Sequence, residues 1–590
     1  MQFYIQRRDQ FLSELKQHTI RYNTVSLLRL IVAIVFLILG YVALNNDMQT
    51  PLIIAMVICV VAFFVLMHIH TELSIKKGRA AALVKVNEDE IAYLSGTSIT
   101  FDNGAEFVDF KHPYSHDLDI FGHKSLFHNL NRTETYKGRE KLAQLLLTLL
   151  PNSDILKNQA AVKELAANPE WRQEVTALGK SNKDSAEVYN KLTAWFSSES
   201  KAVSLIAKYI AIITPTTLLI CASAYLITGN DALINVAGYL FVFNLIFMLG
   251  YAKRIKTEIT DTTEVHQIIH RYSLIIQQIE KEEFDSLKLR ALQKSLVANG
   301  KNASQHIEKL AMLFSQMDSV SNVLAAALLN GLCLYHFHIF NALLNFKKQH
   351  SQNITIWLDA IAEAEALSSL GNLYYNNPDF TFPELNSDYK ISFRNLAHPL
   401  IKKEVRVGND VTFSPQFTIL TGSNMSGKST FLRSIGINMV LAGIGSPVCA
   451  SEAFVHPLPV LVSMRLSDSL SDSESYFFAE IKRLRQVMDE LRSQRAFVLL
   501  DEILRGTNSD DKQTGTIKVV EKMTALGAIG AIATHDIEVC NMVNDYPDVL
   551  VNRCFEVQIV DNELYFDYQL RDGICKNKSA TFIMQKMGVI

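Results

Sequence analysis

Residues 415–440 read PQFTILTGSNMSGKSTFLRSIGINMV, and this segment indicates the fold class of the C-terminal part of the chain. A strand-like apolar run leads into the pattern G-x4-G-K-S at 422–429, and a helix-like run follows it. Glycines in such a loop let backbone N–H groups turn inward around phosphates, and the N-terminus of the next helix favours negative charge. The pattern predicts a phosphate-binding loop in an α/β domain, with Lys428 on the β- and γ-phosphates and Ser429 on Mg²⁺.

Two further apolar runs end in polar residues that phosphate chemistry uses. The segment AFVLLDE ends at Asp501 and Glu502. A buried strand there would place Asp501 near the metal and Glu502 near the attacking water, as a general base. The segment IGAIATHD places His535 at the end of another strand, where it can sense the γ-phosphate. Ser475 precedes an amphipathic helix, and a hydroxyl at a helix start is either an N-cap or an anion site.

Four apolar runs have the length of a membrane-spanning helix, which needs about 20 residues. They cover 25–44, 51–68, about 209–227 and about 232–251. The turn within each pair is short and contains no Lys or Arg, whereas Lys and Arg flank the other end of each run. Because positive residues favour the cytoplasm, we expect two transmembrane hairpins in the cell inner (plasma) membrane, with both termini and the large segments cytoplasmic.

A fifth apolar run covers 323–346 and is also long enough to span a bilayer. It contains Asn330, His336, His338 and Asn341, and such polar residues are costly in lipid. A fifth span would also place the nucleotide-binding segment outside the cell, away from ATP. We therefore expect a buried or membrane-adjacent helix of a cytosolic domain.

The composition gives no sign of a polyanionic partner for the whole chain. The formal net charge is -3, so any nucleic-acid surface would be a local patch. The seven cysteines show no metal-binding spacing, which favours reduced thiols in a cytosol-facing protein.

Four segments together resemble the ATPase domain of the MutS family of DNA mismatch repair proteins, which is part of the wider class of ABC-type ATPases. In chain order they are TGSNMSGKSTFLRSIG, DSLSDSESYFFAEIKRL, LLDEILRGTNSDD and ATHDIEV. Upstream, 118–147 resembles the start of the family's core or lever domain, and 357–371 resembles its last helix. The segment AHPLI at 397–401 resembles the motif at the entry to the ATPase domain. The resemblance covers about 85–590 and is interrupted by the second hairpin.

The resemblance implies an α/β P-loop (ABC-type) ATPase domain, preceded by a mostly α-helical MutS-like core domain and two transmembrane helical hairpins. The expected segments follow one another along the chain. They are a cytoplasmic N-terminal segment (1–24), hairpin 1 (25–70), a linker with the first part of the core (71–205), hairpin 2 (206–252), the rest of the core (253–385) and the ATPase domain (386–590).

The resemblance also implies the residues of an ATP and Mg²⁺ site. Asp501 and Ser429 would bind the metal, and Glu502 would be the catalytic base, with Lys428 and His535 completing the catalytic set. All but one of the expected ATP contacts lie in the loop, and the last comes from the other subunit of a homodimer. They are Gly422, Ser423, Asn424, Met425, Ser426, Gly427, Lys428, Ser429, Thr430 and Ser475.

The chain also departs from the family pattern. The mismatch-reading domain with its Phe-x-Glu wedge is missing, and hairpin 1 stands in its place. The clamp insertion that closes around DNA is absent or replaced, and no strong basic stripe with interleaved aromatics is visible. The family's adenine-stacking aromatic before the loop is not evident, since VRVGNDVTF offers only Phe413.

Three functions remain to be compared. The first is a membrane-tethered MutS-like ATPase, coupled to mismatched or structured DNA and related to DNA repair. The second is an ABC-type transporter-like ATPase that does not act on DNA. It is disfavoured by SDSES in place of an LSGGQ-like signature, by the small number of spans and by the lack of intramembrane charge runs. The third is a scaffold that binds ATP without hydrolysis, and the intact Lys428, Asp501 and Glu502 argue against it.

Overall fold

The computed structural model describes residues 1–45, 50–180, 184–258, 262–298, 300–318, 323–414, 416–465, 476–560 and 563–575. The N-terminal two thirds of this part is mostly helical, and the C-terminal third contains the two larger sheets. This order agrees with the expected helical region followed by an α/β domain.

Two long helices open the chain, α1 (Gln2–Asn45) and α2 (Thr50–Ser95). A membrane span needs about 20 residues. Each of these helices is therefore about twice as long as a bilayer is thick. The ends near Tyr4 and Glu90 are anchored in protein. The Tyr4 hydroxyl donates to the Asn376 side chain at 2.8 Å, and Glu90 forms a buried ion pair with Arg132.

Twelve further α-helices, a short 3-10 helix (Ala105–Phe107) and a two-stranded hairpin complete the described part of the helical region. They are α3 (Leu126–Leu130), α4 (Tyr136–Leu146), α5 (Asn152–Ala167), α6 (Pro169–Gly179), α7 (Ala186–Ser197), α8 (Leu205–Thr228), α9 (Asp231–Glu258), α10 (Thr262–Lys281), α11 (Leu287–Ser295), β1 (Val297–Ala298), β2 (Lys301–Asn302), α12 (Ala303–Asp318), α13 (Val323–Cys333) and α14 (Tyr335–Asn376).

The helix α14 is the centre of the helical region. From Trp357 to Asn372 it is buried at nearly every position, because α4, α5, α6 and α12 pack around it. Its Glu365 carboxylate is fully surrounded by protein and accepts hydrogen bonds from the Glu134 and Thr135 backbone at the start of α4. Burial raises the pKa of Glu365 to about 7.

The fifth apolar run is not the single helix that its sequence suggests. Leu334 has a left-handed backbone, with φ of 50°, and it divides the run into α13 and the first turns of α14, which meet at 76°. The segment 357–371, which resembles the last helix of the core domain, is the C-terminal part of α14. A residue in the left-handed conformation ends a right-handed helix, because the regular backbone hydrogen bonds cannot continue through it.

Within the described ranges, four helices are long and apolar enough to cross a membrane, namely α1, α2, α8 and α9. The bent pair α13–α14 would raise the number to five if it formed one span. In the most apolar window of each of these four helices, between 0% and 17% of the residues are buried inside the protein. Exposed apolar surface of this extent is typical of a lipid-facing surface rather than of a water-facing one.

The described part of the C-terminal region contains two sheets and four helices. The strands are β3 (Glu384–Leu385), β4 (Ile391–Leu396), β5 (Asn409–Phe413), β6 (Phe417–Gly422), β7 (Glu452–Val455), β8 (Val460–Ser463), β9 (Phe497–Asp501), β10 (Ile529–Ala533), β11 (Leu550–Val560) and β12 (Glu563–Asp572). The helices are α15 (Lys428–Gly443), α16 (Tyr476–Ser493), α17 (Ser509–Ala525) and α18 (Ile537–Asp545). The larger sheet has the order β12-β11-β6-β10-β9-β8 and the smaller one β3-β7-β4-β5.

The larger sheet positions the site because its central strands end together. The strands β6, β9 and β10 are parallel and buried at every residue, as expected for strands covered on both faces. Ala533 at the end of β10 is paired with Leu420 on one side and with Asp501 on the other. Ligands of open α/β sheets bind at this carboxyl edge.

Candidate functional site

A tight loop joins β6 to α15 at the carboxyl edge of the sheet. Met425 and Gly427 have left-handed backbones, with φ of 69° and 101°. At Gly422 a Cβ atom would lie 2.6 Å from Ser426 Oγ and 2.9 Å from the Phe555 carbonyl oxygen. Only glycine fits so close an approach, which explains why the loop begins with this residue.

The Lys428 side chain folds into the loop that precedes it. Its Nζ donates to the carbonyl oxygens of Gly422 at 2.7 Å and Ser423 at 3.0 Å. Burial lowers the pKa of the Lys428 ammonium, while the carboxylates of Glu502 and Asp501 oppose that shift. The result is a buried cation at the base of the loop, at the point where an anion would be attracted.

Ser429 and Asp501 meet in space although 72 positions separate them in the chain. The Ser429 hydroxyl donates to Asp501 Oδ2 at 2.5 Å. Among the described residues there is no cluster of three or more His, Cys, Asp or Glu that could hold a metal ion. Mg²⁺ needs no such cluster, since it keeps several waters and takes one or two protein oxygens plus substrate phosphates. A hydroxyl and a carboxylate fit that donor set.

Glu502 follows Asp501 and has a left-handed backbone, with φ of 47°. Its Oε1 lies 2.8 Å from His535 Nε2, and its Oε2 lies 3.5 Å from Arg505 Nε. The hydrogen bond from His535 lowers the pKa of Glu502 from 4.5 to about 2, against the opposing effect of burial. Because the folded-state pKa is depressed, the associated stabilisation is present above about pH 4.5 and is lost as the pH falls towards 2.

The helix α16 is bonded to the loop that follows Glu502. The buried Glu480 carboxylate accepts hydrogen bonds from the backbone N–H of Leu504 at 2.6 Å and of Arg505 at 3.2 Å. Burial raises the pKa of Glu480, although both N–H donors favour its charged form. The orientation of α16 and the position of the loop are therefore fixed to each other.

The structure brings most of the predicted site residues to one cleft of about 450 Å³. Gly422 ends the strand beneath it, and His535 reaches it through the bond to Glu502. Ser475 belongs to 466–475, which lies outside the described residues. The predicted residues that line the cleft are Ser423, Asn424, Met425, Ser426, Gly427, Lys428, Ser429, Thr430, Asp501 and Glu502.

The aromatic residue that lies beside Gly427 in the cleft is one that the sequence did not indicate. Phe413, the aromatic before the loop, is fully buried and packs against Phe497 with ring centroids 5.2 Å apart. Tyr568 lines the cleft instead, and a Cβ atom on Gly427 would lie 3.0 Å from Tyr568 Cδ1. The Asn409 side chain holds this stretch of β12, donating to the Tyr568 carbonyl oxygen at 3.0 Å. No local motif marks Tyr568, since only the pairing of β12 with the sheet brings it here.

Further lining residues come from the segment after β4. His398, in the AHPLI segment, is largely buried, and burial together with the nearby Arg433 lowers its pKa to about 4. It is therefore neutral at pH 7. The cleft wall continues through apolar residues of the same segment, which are Ile401, Val405 and Val407. An apolar wall beside a phosphate-type loop suits a flat aromatic base.

Comparison with known proteins shows which sequence families this chain is similar to. Residues 418–589 match the family "MutS domain V". The DNA mismatch repair protein MutS of Methanosarcina barkeri is 25% identical over 453 residues, which is 70% of this chain and 50% of that protein. The DNA mismatch repair protein MutS of Thermotoga neapolitana is 29% identical over 234 residues, or 38% of this chain and 28% of that protein. MutS protein homolog 4 of Homo sapiens is 30% identical over 213 residues, which is 34% of this chain and 22% of that protein. The chain thus spans half or less of the length of these relatives.

We predict that Glu480→Ala frees the loop after Glu502. A hydrogen bond to a charged group contributes about 1.5–3 kcal/mol, so amide hydrogen exchange at Leu504 and Arg505 should become about 10- to 100-fold faster. Exchange measured by mass spectrometry on the peptide that contains both residues checks this. Asp489→Ala, an exposed position of α16, is the control and should leave the rate unchanged. Equal rates in the Glu480 variant and the wild type would contradict the anchoring role.

Proposed function

Because the chain belongs to the MutS family through its C-terminal region, we propose that it is a P-loop, Mg²⁺-dependent ATPase that binds and hydrolyses ATP in the cleft above β6. The observation that carries the proposal is the 2.5 Å contact of Ser429 with Asp501, beside a buried Lys428 and next to Glu502. These four side chains provide a cation, a metal site and a carboxylate in one cleft.

Each side chain then has a distinct task. The Lys428 ammonium binds the phosphate chain in place of the loop carbonyls that it now contacts. Ser429 and Asp501 would hold Mg²⁺, and the bound ion would supply positive charge next to the phosphate oxygens. Glu502 holds the attacking water through its carboxylate. With a pKa of about 2 it is a weak base, so while His535 donates to it, it orients the water more than it removes a proton.

The apolar wall of the cleft suits the adenine base. We assign Tyr568 as the ring on which the base stacks, because it is the aromatic residue beside Gly427 in the cleft. The two hydrogen bonds between the Asn409 side chain and β12, to the Tyr568 carbonyl at 3.0 Å and from the Leu570 N–H at 2.7 Å, hold the ring in place.

We further propose a homodimer with composite ATP sites, in which the partner subunit's Ser475 contacts the γ-phosphate. The bond of Glu480 to Leu504 supports this arrangement. It joins the helix that begins next to Ser475 to the loop that follows Glu502.

The membrane and DNA parts of the proposal rest on separate observations. Four exposed apolar helices of spanning length support tethering to the inner (plasma) membrane, with the ATPase domain in the cytoplasm. The names of the relatives, DNA mismatch repair proteins, support coupling of ATP hydrolysis to mismatched or structured DNA. The alternative is a transporter-like ATPase that does not act on DNA.

We predict that Lys428→Ala and Glu502→Gln each reduce ATP turnover at least a hundredfold, because a positioned catalytic group contributes about 10²–10⁴ in rate. They should differ in binding. Lys428→Ala weakens ATP binding, whereas Glu502→Gln keeps the shape of the site and still binds ATP. Steady-state hydrolysis and equilibrium binding of the detergent-solubilised protein check this. Lys518→Ala and Glu538→Gln, both exposed, are the matched controls, and unchanged turnover in either site variant would contradict the assignment.

We predict that Tyr568→Ala raises the KM for ATP with a smaller effect on kcat, because it removes base binding and leaves the phosphate site intact. Stacking on an aromatic side chain is worth about 1–3 kcal/mol per base, so binding should weaken by about 5- to 150-fold. Tyr568→Phe keeps the ring and should behave like the wild type. A normal KM for the alanine variant would exclude Tyr568 from the base site.

We predict that DNA stimulates the ATPase of protein reconstituted in lipid nanodiscs, with mismatched or branched duplexes more effective than homoduplex. Binding should weaken steeply as salt rises, since contacts to phosphates release counterions. The measurement is the hydrolysis rate with each DNA across a salt series, with Glu502→Gln as the blank. No response to any DNA, together with stimulation by a solute or lipid, would favour the transporter-like alternative.

A further inference from the structure

A proline in α8 leaves one backbone carbonyl without its helical partner. Pro215 has no N–H, so the carbonyl oxygen of Ala211, four residues earlier, receives no bond from it. His338, from the start of α14, places its Nε2 at 3.1 Å from that oxygen. The side chain of one element therefore satisfies a carbonyl that another element leaves unpaired.

At the helix break at Leu334, side chains also pair with backbone groups. Where α13 ends, the carbonyl of Gly331 accepts a hydrogen bond from Asn244 Nδ2 of α9 at 2.8 Å. The backbone N–H of His336, in the first turn of α14, donates to Asn330 Oδ1 at 3.0 Å. Asn244 is fully buried, and its Oδ1 accepts from Thr214 of α8 at 2.6 Å.

These pairings meet a requirement that hydrocarbon imposes on every backbone polar group. In a bilayer each backbone polar group must be satisfied inside the protein, because there is no solvent to do so, and a broken helix is tolerated only where it packs against other protein. At the surface of a water-soluble domain, solvent would hydrate the freed groups. The polar side chains of this run thus provide the pairing that a helix break inside lipid would require.

The position of Asn244 along α9 gives the depth in the bilayer at which it contacts Gly331. Asn244 precedes Lys253, the first basic residue after the apolar run, by nine positions, which is about 13 Å at the helical rise of 1.5 Å per residue. The hydrocarbon core is about 30 Å thick. Phe241, one turn farther from Lys253, packs against Gly331 so closely that a Cβ there would lie 2.2 Å from its ring. The C-terminal end of α13 therefore lies near the middle of the layer that α9 would cross.

The outer face of α13 is apolar and exposed. Leu324 and Leu328, one turn apart, are 81% and 56% exposed. Beside them, α8 and α9 present exposed apolar side chains of their own. The surface of α13 is thus continuous with the surface that would face lipid.

We propose that α13 is a re-entrant membrane element, which enters the hydrocarbon from the cytoplasmic side and returns through the first turns of α14, with Leu324 and Leu328 in contact with acyl chains. This proposal rests on the part of the proposed function in which α8 and α9 span a bilayer. The re-entrant path leaves both ends of α13–α14 on the cytoplasmic side, so the ATPase domain keeps its access to ATP.

The test is tryptophan fluorescence of the full-length protein in nanodiscs made with acyl-brominated phosphatidylcholine, compared with the unbrominated lipid. Leu328→Trp adds a reporter on α13, and the signal of the three native tryptophans is subtracted. Ile246→Trp on α9 is the membrane reference, and Leu287→Trp on α11 is the aqueous reference, since both positions are exposed. We expect the bromines to quench Leu328→Trp as strongly as Ile246→Trp, and to leave Leu287→Trp unquenched.

The outcomes separate this inference from the proposed function. An unquenched Leu328→Trp beside a quenched Ile246→Trp would overturn the re-entrant element and leave membrane anchoring in place. If Ile246→Trp is also unquenched, both proposals fail.

A second variant tests the anchor. In the Leu328→Trp protein, Asn244→Leu removes the donor to Gly331 and should reduce the quenching, because α13 loses its attachment to α9. Asn235→Leu, an exposed position on the same helix, is the matched control and should leave the quenching unchanged. Equal quenching in the two leucine variants would exclude Asn244 as the anchor.

Discussion

The register of three buried parallel strands is the constraint on which the nucleotide cleft depends. Ala533 lies between Leu420 and Asp501, so the residues that follow these strands emerge at one edge of the sheet. The loop after β6, the carboxylates after β9 and His535 after β10 then meet without any long side chain having to reach. A slip by one residue in a parallel strand would turn Asp501 to the other face, and the 2.5 Å contact with Ser429 would be lost.

The helix α14 connects this edge to the apolar helices. Near its C-terminal end, Asn372 donates to Glu90 of α2 at 3.0 Å, and Leu373 and Tyr374 pack against Ala397 and Cys449. Asn438 of α15 holds the same two residues, donating to the Ala397 carbonyl and accepting from the Cys449 N–H. The N-terminal end of α14 contacts α8 through His338. One helix therefore joins both apolar pairs to the helix that begins at Lys428, and a buried helix transmits displacement because a close-packed interior resists compression.

The sequence predicted the loop, the acid-ended strand and the four apolar helices, because each is a local pattern with a physical cause. It could not predict Tyr568, since that ring reaches Gly427 only through the pairing of β12 with β11. It wrongly joined the run 323–346 into one helix, because apolar periodicity carries no sign of the left-handed backbone at Leu334. Glu480 was equally hidden, since a glutamate in an amphipathic helix reads as a solvent-facing residue until its backbone partners at 504 and 505 are known.

The polar residues of that run show that the cost of a polar side chain in lipid depends on its hydrogen-bond partners. Counted singly, Asn330, His336 and His338 argue against lipid, since each costs free energy in hydrocarbon. Counted with their partners, Asn330 and His338, together with Asn244 of α9, satisfy backbone groups that a proline and a helix break leave open, and those groups would cost more if left unpaired. A side chain that pairs an open backbone group lowers the cost of the whole element. The free energy that decides whether a segment lies in lipid therefore belongs to the hydrogen-bonded set, and only the fold tells which residues form it.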